Sequence, residues 1–136
     1  MALLPVQLYR IRQDDRRGAQ LIVLREAESR RLLHIVIGIF EAEAIRSHIA
    51  GQDALRPMTH DLLAGIISDL GCTLKQVNVD GLHDHTFYAH LVVEKPDGEL
   101  VEIDSRPSDA IALAVRTGAA LFVEEEVLAE AGVDEE

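Results

Sequence analysis

The chain has 136 residues, a formal net charge of −11 at pH 7, 48% hydrophobic residues and 4% aromatic residues. This length and hydrophobic content predict one globular domain, 1–136, that buries its core without disulfides or metals. The acidic balance opposes nonspecific nucleic-acid binding, because cationic side chains supply the favourable interaction with phosphates. Any nucleic-acid partner must therefore bind at a local site.

Composition also bears on location. No apolar run is long enough to cross a bilayer, and the N-terminus carries no apolar segment long enough for a signal peptide. The single cysteine, Cys72, cannot form an internal disulfide and suits a reducing compartment. We therefore expect a cytoplasmic protein without a membrane partner.

Hydrophobic periodicity predicts the elements of the first half. Two hairpin strands, a short buried strand and a helix are expected at residues 5–11, 19–24, 34–37 and 40–50. A second helix begins at about Thr59, whose hydroxyl is expected to cap it. This helix has a wide apolar stripe consisting of Leu62, Leu63, Ile66, Ile67 and Leu70.

The second half repeats these kinds of element. Two strands are predicted at residues 73–79 and 86–94, followed by a strand from Val101, a polar turn and a helix that ends at Gly118. Pro107 disfavours a helical conformation for the residue before it, so the helix should begin at or just after Pro107, with Ser105 or Arg106 at the cap. A short strand at 120–123 and a short helix with an acidic tail follow.

A self-comparison suggests an internal duplication. A shift of about 66 residues lays Glu43 on Asp109 and Ile35 on Val101, so that each half becomes a hairpin, a further strand and a helix that opens with acids. The duplication predicts that residues 38–43 and 104–109 occupy equivalent corners.

Three polar corners lie where helices are predicted to begin: Glu41 with Glu43, residues 56–61 and residues 104–109. Backbone N–H groups and the positive end of the helix dipole point outwards at such places, which favours an anion. Their contents suggest a phosphodiesterase, with His60 handling a proton. A hard divalent ion, Mg²⁺ or Mn²⁺, would bind the carboxylates, and two arginines would clamp a phosphate. The carboxylates are Asp61, Asp104 and Asp109, and the arginines are Arg56 and Arg106.

A structural interpretation uses the same residues. Thr59 and Ser105 can cap helices, Asp61 and Asp109 can face helix dipoles, and the arginines can fasten two halves or two subunits together. The run at residues 83–85, His-Asp-His, can bind a transition metal or form a solvated hairpin tip.

Four ordered segments resemble the signature of the bifunctional nuclease domain family. They are GIFEAEAI at 38–45, RPMTHDLL at 56–63, TFYA at 86–89 and DSRPSDAIAL at 104–113. The likeness extends over a core from about Leu21 to Leu128. It implies an α+β fold with a curved, mixed and largely antiparallel sheet and packed helices. It also implies assembly into homo-oligomers, which we expect to be dimers.

The resemblance further implies nuclease activity on DNA and RNA. We predict catalytic roles for His60, Asp61, Asp104 and Asp109, substrate binding by Arg56, Arg106, Thr59 and Ser108, and metal binding by Asp61, Asp104, Asp109 and Glu41. The chain differs from the family pattern at His34, Leu55 and His85, where proline, proline and glycine are usual. The alternative remains a non-catalytic oligomeric binding or anion-sensing module whose charged motifs are structural.

Overall fold

The computed structural model describes residues 2–16, 18–52 and 54–135, so the predicted acidic tail is described as far as Glu135. Within these ranges the chain forms seven strands and four helices. They are β1 (Leu3–Asp14), β2 (Ala19–Glu26), β3 (Leu32–Ile37), α1 (Ile39–Ile49), α2 (Thr59–Asp69), β4 (Thr73–His83), β5 (Thr86–Glu94), β6 (Leu100–Ser105), α3 (Pro107–Thr117), β7 (Ala120–Glu124) and α4 (Glu125–Ala131). None of the described helices is long and apolar enough to cross a membrane.

All seven strands form one sheet in the order β3-β2-β1-β7-β4-β5-β6. Its neighbours are antiparallel except β4 and β7, which run parallel. Strand β3 lies at one edge of the sheet, yet its residues line the same groove as residues of the turn between β4 and β5. We infer from this shared groove that the sheet is curved. The predicted α+β fold with a mixed, largely antiparallel sheet is therefore confirmed.

The order of elements repeats, since β1, β2, β3 and α1 are followed by β4, β5, β6 and α3 after the intervening helix α2. Leu32 begins β3 and Leu100 begins β6, while Ile39 begins α1 and Pro107 begins α3, so a shift of 68 residues aligns the starts of these elements. The shift given by the element starts is two residues larger than the predicted shift of about 66, which rests on a few apolar identities. With the observed shift, Glu41 corresponds to Asp109.

Helix α3 lies against the centre of the sheet. Ala110 and Ile111 are fully buried and pack into the same core as Ala89 and Leu91 of β5, the strand face turned towards the helix. Burying a side chain of the size of Ile111 contributes roughly 2–3 kcal/mol. Gly118 then ends α3 in the left-handed conformation, at φ 78°, as predicted.

One helix cap is as predicted and the other is not: Arg106, one of the two predicted residues, is the N-cap of α3, but Thr59 does not cap α2. Met58, not Thr59, is the N-cap of α2, and its backbone N–H donates to Asp61 Oδ2 at 3.0 Å. Arg106 is the N-cap of α3, and the Ser105 hydroxyl donates to the carbonyl of Arg106 instead of capping the helix. A side chain three residues into α2 therefore replaces the predicted hydroxyl cap, and no side chain caps α3.

Helix α2 lies at the periphery and leaves most of its apolar stripe uncovered. Leu62, Ile66 and Leu70 are 55%, 46% and 69% exposed. Ile67 and Ala64 pack against the core. The apolar stripe of α2 is wider than the surface of α3 and β4 that it packs against. The hydrophobic periodicity of the sequence therefore predicts the helix but not which of its sides is buried.

Candidate functional site

A chain of four polar side chains joins α1, α2 and α3 at or beside their first turns. Nη2 of Arg106 donates to Glu41 Oε1 at 2.9 Å, and Nε of Arg106 donates to Asp109 Oδ2 at 2.9 Å. The other carboxylate oxygen of Asp109 lies 2.9 Å from Nε2 of His60. The corners formed by residues 38–43 and 104–109 therefore meet, and the start of α2 meets them.

Burial decreases along this chain of contacts from His60 to Arg106. The side chains of His60, Asp109 and Arg106 are 9%, 27% and 66% exposed. Burial would raise the pKa of the Asp109 carboxyl, but hydrogen bonds from Arg106 and His60 outweigh it and hold the pKa below its ordinary value. The same pairing, first with Asp109 and then with Glu41, raises the pKa of Arg106. Asp109 is therefore an anion near neutral pH.

These side chains line an open pocket of about 520 Å³, which also contains Phe40, Thr59 and Arg116. Nδ1 of His60 makes no hydrogen bond within the described part of the chain, where no fully buried side-chain nitrogen or oxygen lacks a partner. Nδ1 is therefore at least partly accessible, and His60 lines the pocket. The pocket thus combines an imidazole with one nitrogen that has no described partner and an exposed guanidinium.

Asp61 belongs to a second contact that fastens the helices together. Its Oδ1 accepts a hydrogen bond from Nε of Arg116 at 2.8 Å, and Nη2 of Arg116 donates to the carbonyl of Ala44 at 3.1 Å. The hydrogen bond from Arg116, then that from the Met58 N–H, lowers the pKa of Asp61. The sequence analysis missed Arg116, although it lies seven residues after Asp109 and hence on the same face of α3.

Two predicted site residues lie elsewhere. Asp104 is paired with His90 across β5 and β6, on the sheet face opposite to that of buried Ala89. Arg56 is exposed in the loop before α2 and makes no hydrogen bond or ion pair with a described residue. The pocket thus brings together Glu41, Thr59, His60, Arg106 and Asp109, with Asp61 behind it, but neither Asp104 nor Arg56.

The predicted metal ligands do not fit a metal site in this arrangement. Among residues 2–16, 18–52 and 54–135, no three His, Cys, Asp or Glu side chains are grouped so that they could hold an ion. Asp61 is bonded to Arg116, while Glu41 and Asp109 are both bonded to Arg106. The His-Asp-His run consists of the last residue of β4 and the two-residue turn before β5, and His83 packs edge-on against Tyr88.

The fold and the pocket define a class of protein: an α+β domain with two repeated units whose helix N-termini build one charged pocket. The chain belongs to the bifunctional nuclease domain family, whose family model matches residues 22–136. It is also 40% identical, over 128 residues, to two uncharacterised proteins of Mycobacterium tuberculosis, from strains CDC 1551 / Oshkosh and ATCC 25618 / H37Rv. Each alignment covers 94% of this chain and 76% of the relative.

Proposed function

We propose that this protein is a nuclease that cleaves phosphodiester bonds in the pocket beside His60. The observation that carries the proposal is the chain of contacts from His60 through Asp109 to Arg106 in the wall of an open pocket. Membership of the bifunctional nuclease domain family supports the same class of reaction.

His60 is the group that transfers the proton. When neutral His60 carries its proton on Nε2, it donates to Asp109 and leaves Nδ1 as an acceptor facing the pocket. Nδ1 takes the proton of an attacking hydroxyl, from water or from the ribose 2′ position of RNA. The attacking oxygen bonds to phosphorus, the bond to the leaving oxygen breaks, and His60 returns the proton to that oxygen. Asp109 orients the ring and stabilises its charged form.

Arg106 is the phosphate-binding group. Its Nε and Nη2 are used by Asp109 and Glu41, whereas Nη1 makes no hydrogen bond within the described residues. A guanidinium held in this way presents its remaining N–H groups to the phosphate oxygens and stabilises the charge that grows on them. Phe40, 86% exposed, offers a ring on which a base can stack.

No step of this reaction is assigned to Mg²⁺ or Mn²⁺, because Glu41, Asp61 and Asp109 are held by arginines. The fourth candidate carboxylate, Asp104, lies outside the pocket. A metal would require Asp61 and Asp109 to leave Arg116 and Arg106. The predicted metal dependence therefore stays a prediction, tested by assaying cleavage in a chelator and again after adding each ion.

His60→Ala tests the proposed function, with cleavage of labelled single-stranded RNA and DNA as the measurement. We expect the rate to fall by about 100-fold or more, since general acid–base catalysis contributes roughly that much. His90→Ala is the matched control, because His90 also pairs with an aspartate, Asp80, at 2.7 Å but lies on the other sheet face. Equal activity in both variants, or activity that separates from the protein on a sizing column, contradicts the assignment.

We also propose that α2 joins two copies of the chain into a homo-oligomer. The segment at 62–68, Leu-Leu-Ala-Gly-Ile-Ile-Ser, carries no charge in a protein whose net charge is −11. Two copies can meet on this apolar face without bringing like charges together. If His60→Ala proves to lower stability and no preparation shows turnover, this assembly role stands as the function instead.

A further inference from the structure

A second groove of about 660 Å³ lies beside the N-terminus of α3. Residues of β3, of the β4–β5 turn and of the start of α3 line it, and none of the described residues that do so carries a carboxylate. Its polar side chains are His34, His85, Thr86, Arg106 and Ser108. In a protein of net charge −11, this composition favours an anionic ligand.

Ser108, the second residue of α3, supports an anionic ligand in this groove. It is only 6% exposed, and its hydroxyl makes no hydrogen bond within the part of the chain that the structure describes. Because no fully buried side-chain oxygen there lacks a partner, Oγ is at least partly accessible, and Ser108 lines the groove. No side chain caps α3, so its first-turn N–H groups are also available to an anion at this place.

His85 enters the groove from a strained turn. Asp84 and His85 form the two-residue connection between β4 and β5 with φ values of 50° and 65°. Such a connection favours glycine or asparagine, because other side chains clash in the left-handed region. The backbone here holds an imidazole in the lining of the same groove as Ser108, at a conformational cost.

Positive charge continues from the groove along the sheet. Val23 pairs with both Arg10 and His34, so these two residues lie in one row on one sheet face. Arg12 lies one row further along β1. Burial, then Arg12 and Arg10, lowers the pKa of His34, which is consistent with a positive field at this face.

Arg106 lines both the groove and the His60 pocket. Each cavity also contains one phenylalanine, Phe87 in the groove and Phe40 in the pocket. The two rings differ in exposure, since Phe40 is 86% exposed whereas Phe87 is half-buried and packs against the core. Polar groups that can bind a phosphate thus line cavities on the two sides of one arginine, which fits two consecutive nucleotides of a single strand.

We propose that the groove is a second nucleotide subsite, which holds the phosphate next to the scissile one in a single-stranded nucleic acid. This inference rests on the proposed nuclease function. The Ser108 hydroxyl, the first N–H groups of α3 and the His85 imidazole bind the phosphate oxygens, and Phe87 contacts the base.

The test measures how affinity depends on chain length. Fluorescence anisotropy is recorded with labelled 2′-O-methyl uridine oligonucleotides of one to four nucleotides, which lack the hydroxyl that attacks in RNA. We expect the affinity of the wild-type protein to rise on the order of tenfold from one nucleotide to two. His85→Gly and Ser108→Ala should each lose most of that gain, because each variant removes one hydrogen bond to a charged acceptor.

His83→Ala is the matched control, because His83 lies in the same hairpin but does not line the groove. His85→Gly should fold at least as well as the wild type, since glycine suits a positive φ. The subsite is overturned if the gain in affinity persists in both groove variants or if His83→Ala also removes it. Neither outcome bears on the nuclease proposal, which the His60→Ala assay tests. If the groove variants lose the gain in a protein that cleaves nothing, the subsite is supported and the nuclease proposal fails.

Discussion

Arg116 is the most buried charged group of the three-helix junction, with a side chain 7% exposed. A charge removed from water is tolerated only when its hydrogen-bond donors are used. Asp61 neutralises it from α2, while the carbonyl of Ala44 accepts from α1. In the described structure Asp61 therefore binds Arg116, and Arg116 holds α1 and α2 against α3 at the pocket.

Asp61→Asn is expected to lower the free energy of unfolding by about 1 kcal/mol at neutral pH, since the pair is partly exposed. Because the folded pKa of Asp61 lies below its ordinary value of 3.8, its contribution is present above that pH and is lost as pH falls through the folded pKa. Urea unfolding at about pH 7 and about pH 2.5 should therefore show a smaller difference from wild type at the lower pH.

Asp69→Asn is the control for this measurement. Asp69 is an exposed carboxylate at the last residue of α2, where a negative charge opposes the helix dipole. Its replacement should leave stability unchanged or raise it slightly. An equal loss in the two variants would show that any acid on α2 contributes in the same way.

The single residues of the site could be chosen from the sequence, but their contacts could not. His60 and Asp109 were candidates because each lies in the first turn of a predicted helix, yet 49 residues separate them and only the packing of α2 against α3 joins them. Asp104 lies nearer to Asp109 in the chain, but strand alternation turns it to the other sheet face.

The elements themselves follow closely from periodicity. The strand predicted at residues 86–94 is β5, and the helix predicted to begin at Pro107 and end at Gly118 is α3. Both have strong local signals, namely alternation in β5 and a proline and a glycine at the ends of α3. Helix α2 has an equally clear period, but none of the described residues covers its outer face.

Ile66→Glu tests whether a second copy covers that face. If α2 forms the interface, the charge should shift the protein towards monomer by light scattering after size exclusion, while the melting temperature of the monomer changes little because Ile66 is 46% exposed. Ile49→Glu on α1 is the matched control, since Ile49 is 60% exposed and lies outside the α2 stripe. Unchanged particle mass in Ile66→Glu would rule out this face as the interface.

The two repeated units are joined in the middle of the sheet, where β7 pairs antiparallel with β1 and parallel with β4. Leu121 is thus the neighbour of Val6 in the first unit and of Val77 in the second. The sequence predicted β7 as a short strand but could not give its position, because pairing partners so far apart leave no local pattern. The consequence is that neither unit can lose β7 without exposing an edge of its own strands.

Val123→Ala should therefore destabilise both units together. Val123 is fully buried on β7, and losing two methyl groups there costs about 2 kcal/mol. The chain has no tryptophan and two tyrosines, Tyr9 on β1 and Tyr88 on β5, so Tyr88→Phe and Tyr9→Phe variants each report on one unit by fluorescence. We expect both probes and circular dichroism to give one urea midpoint, shifted equally by Val123→Ala. The exposed Val36→Ala should leave that midpoint nearly unchanged, and two separated midpoints would show that the units unfold independently.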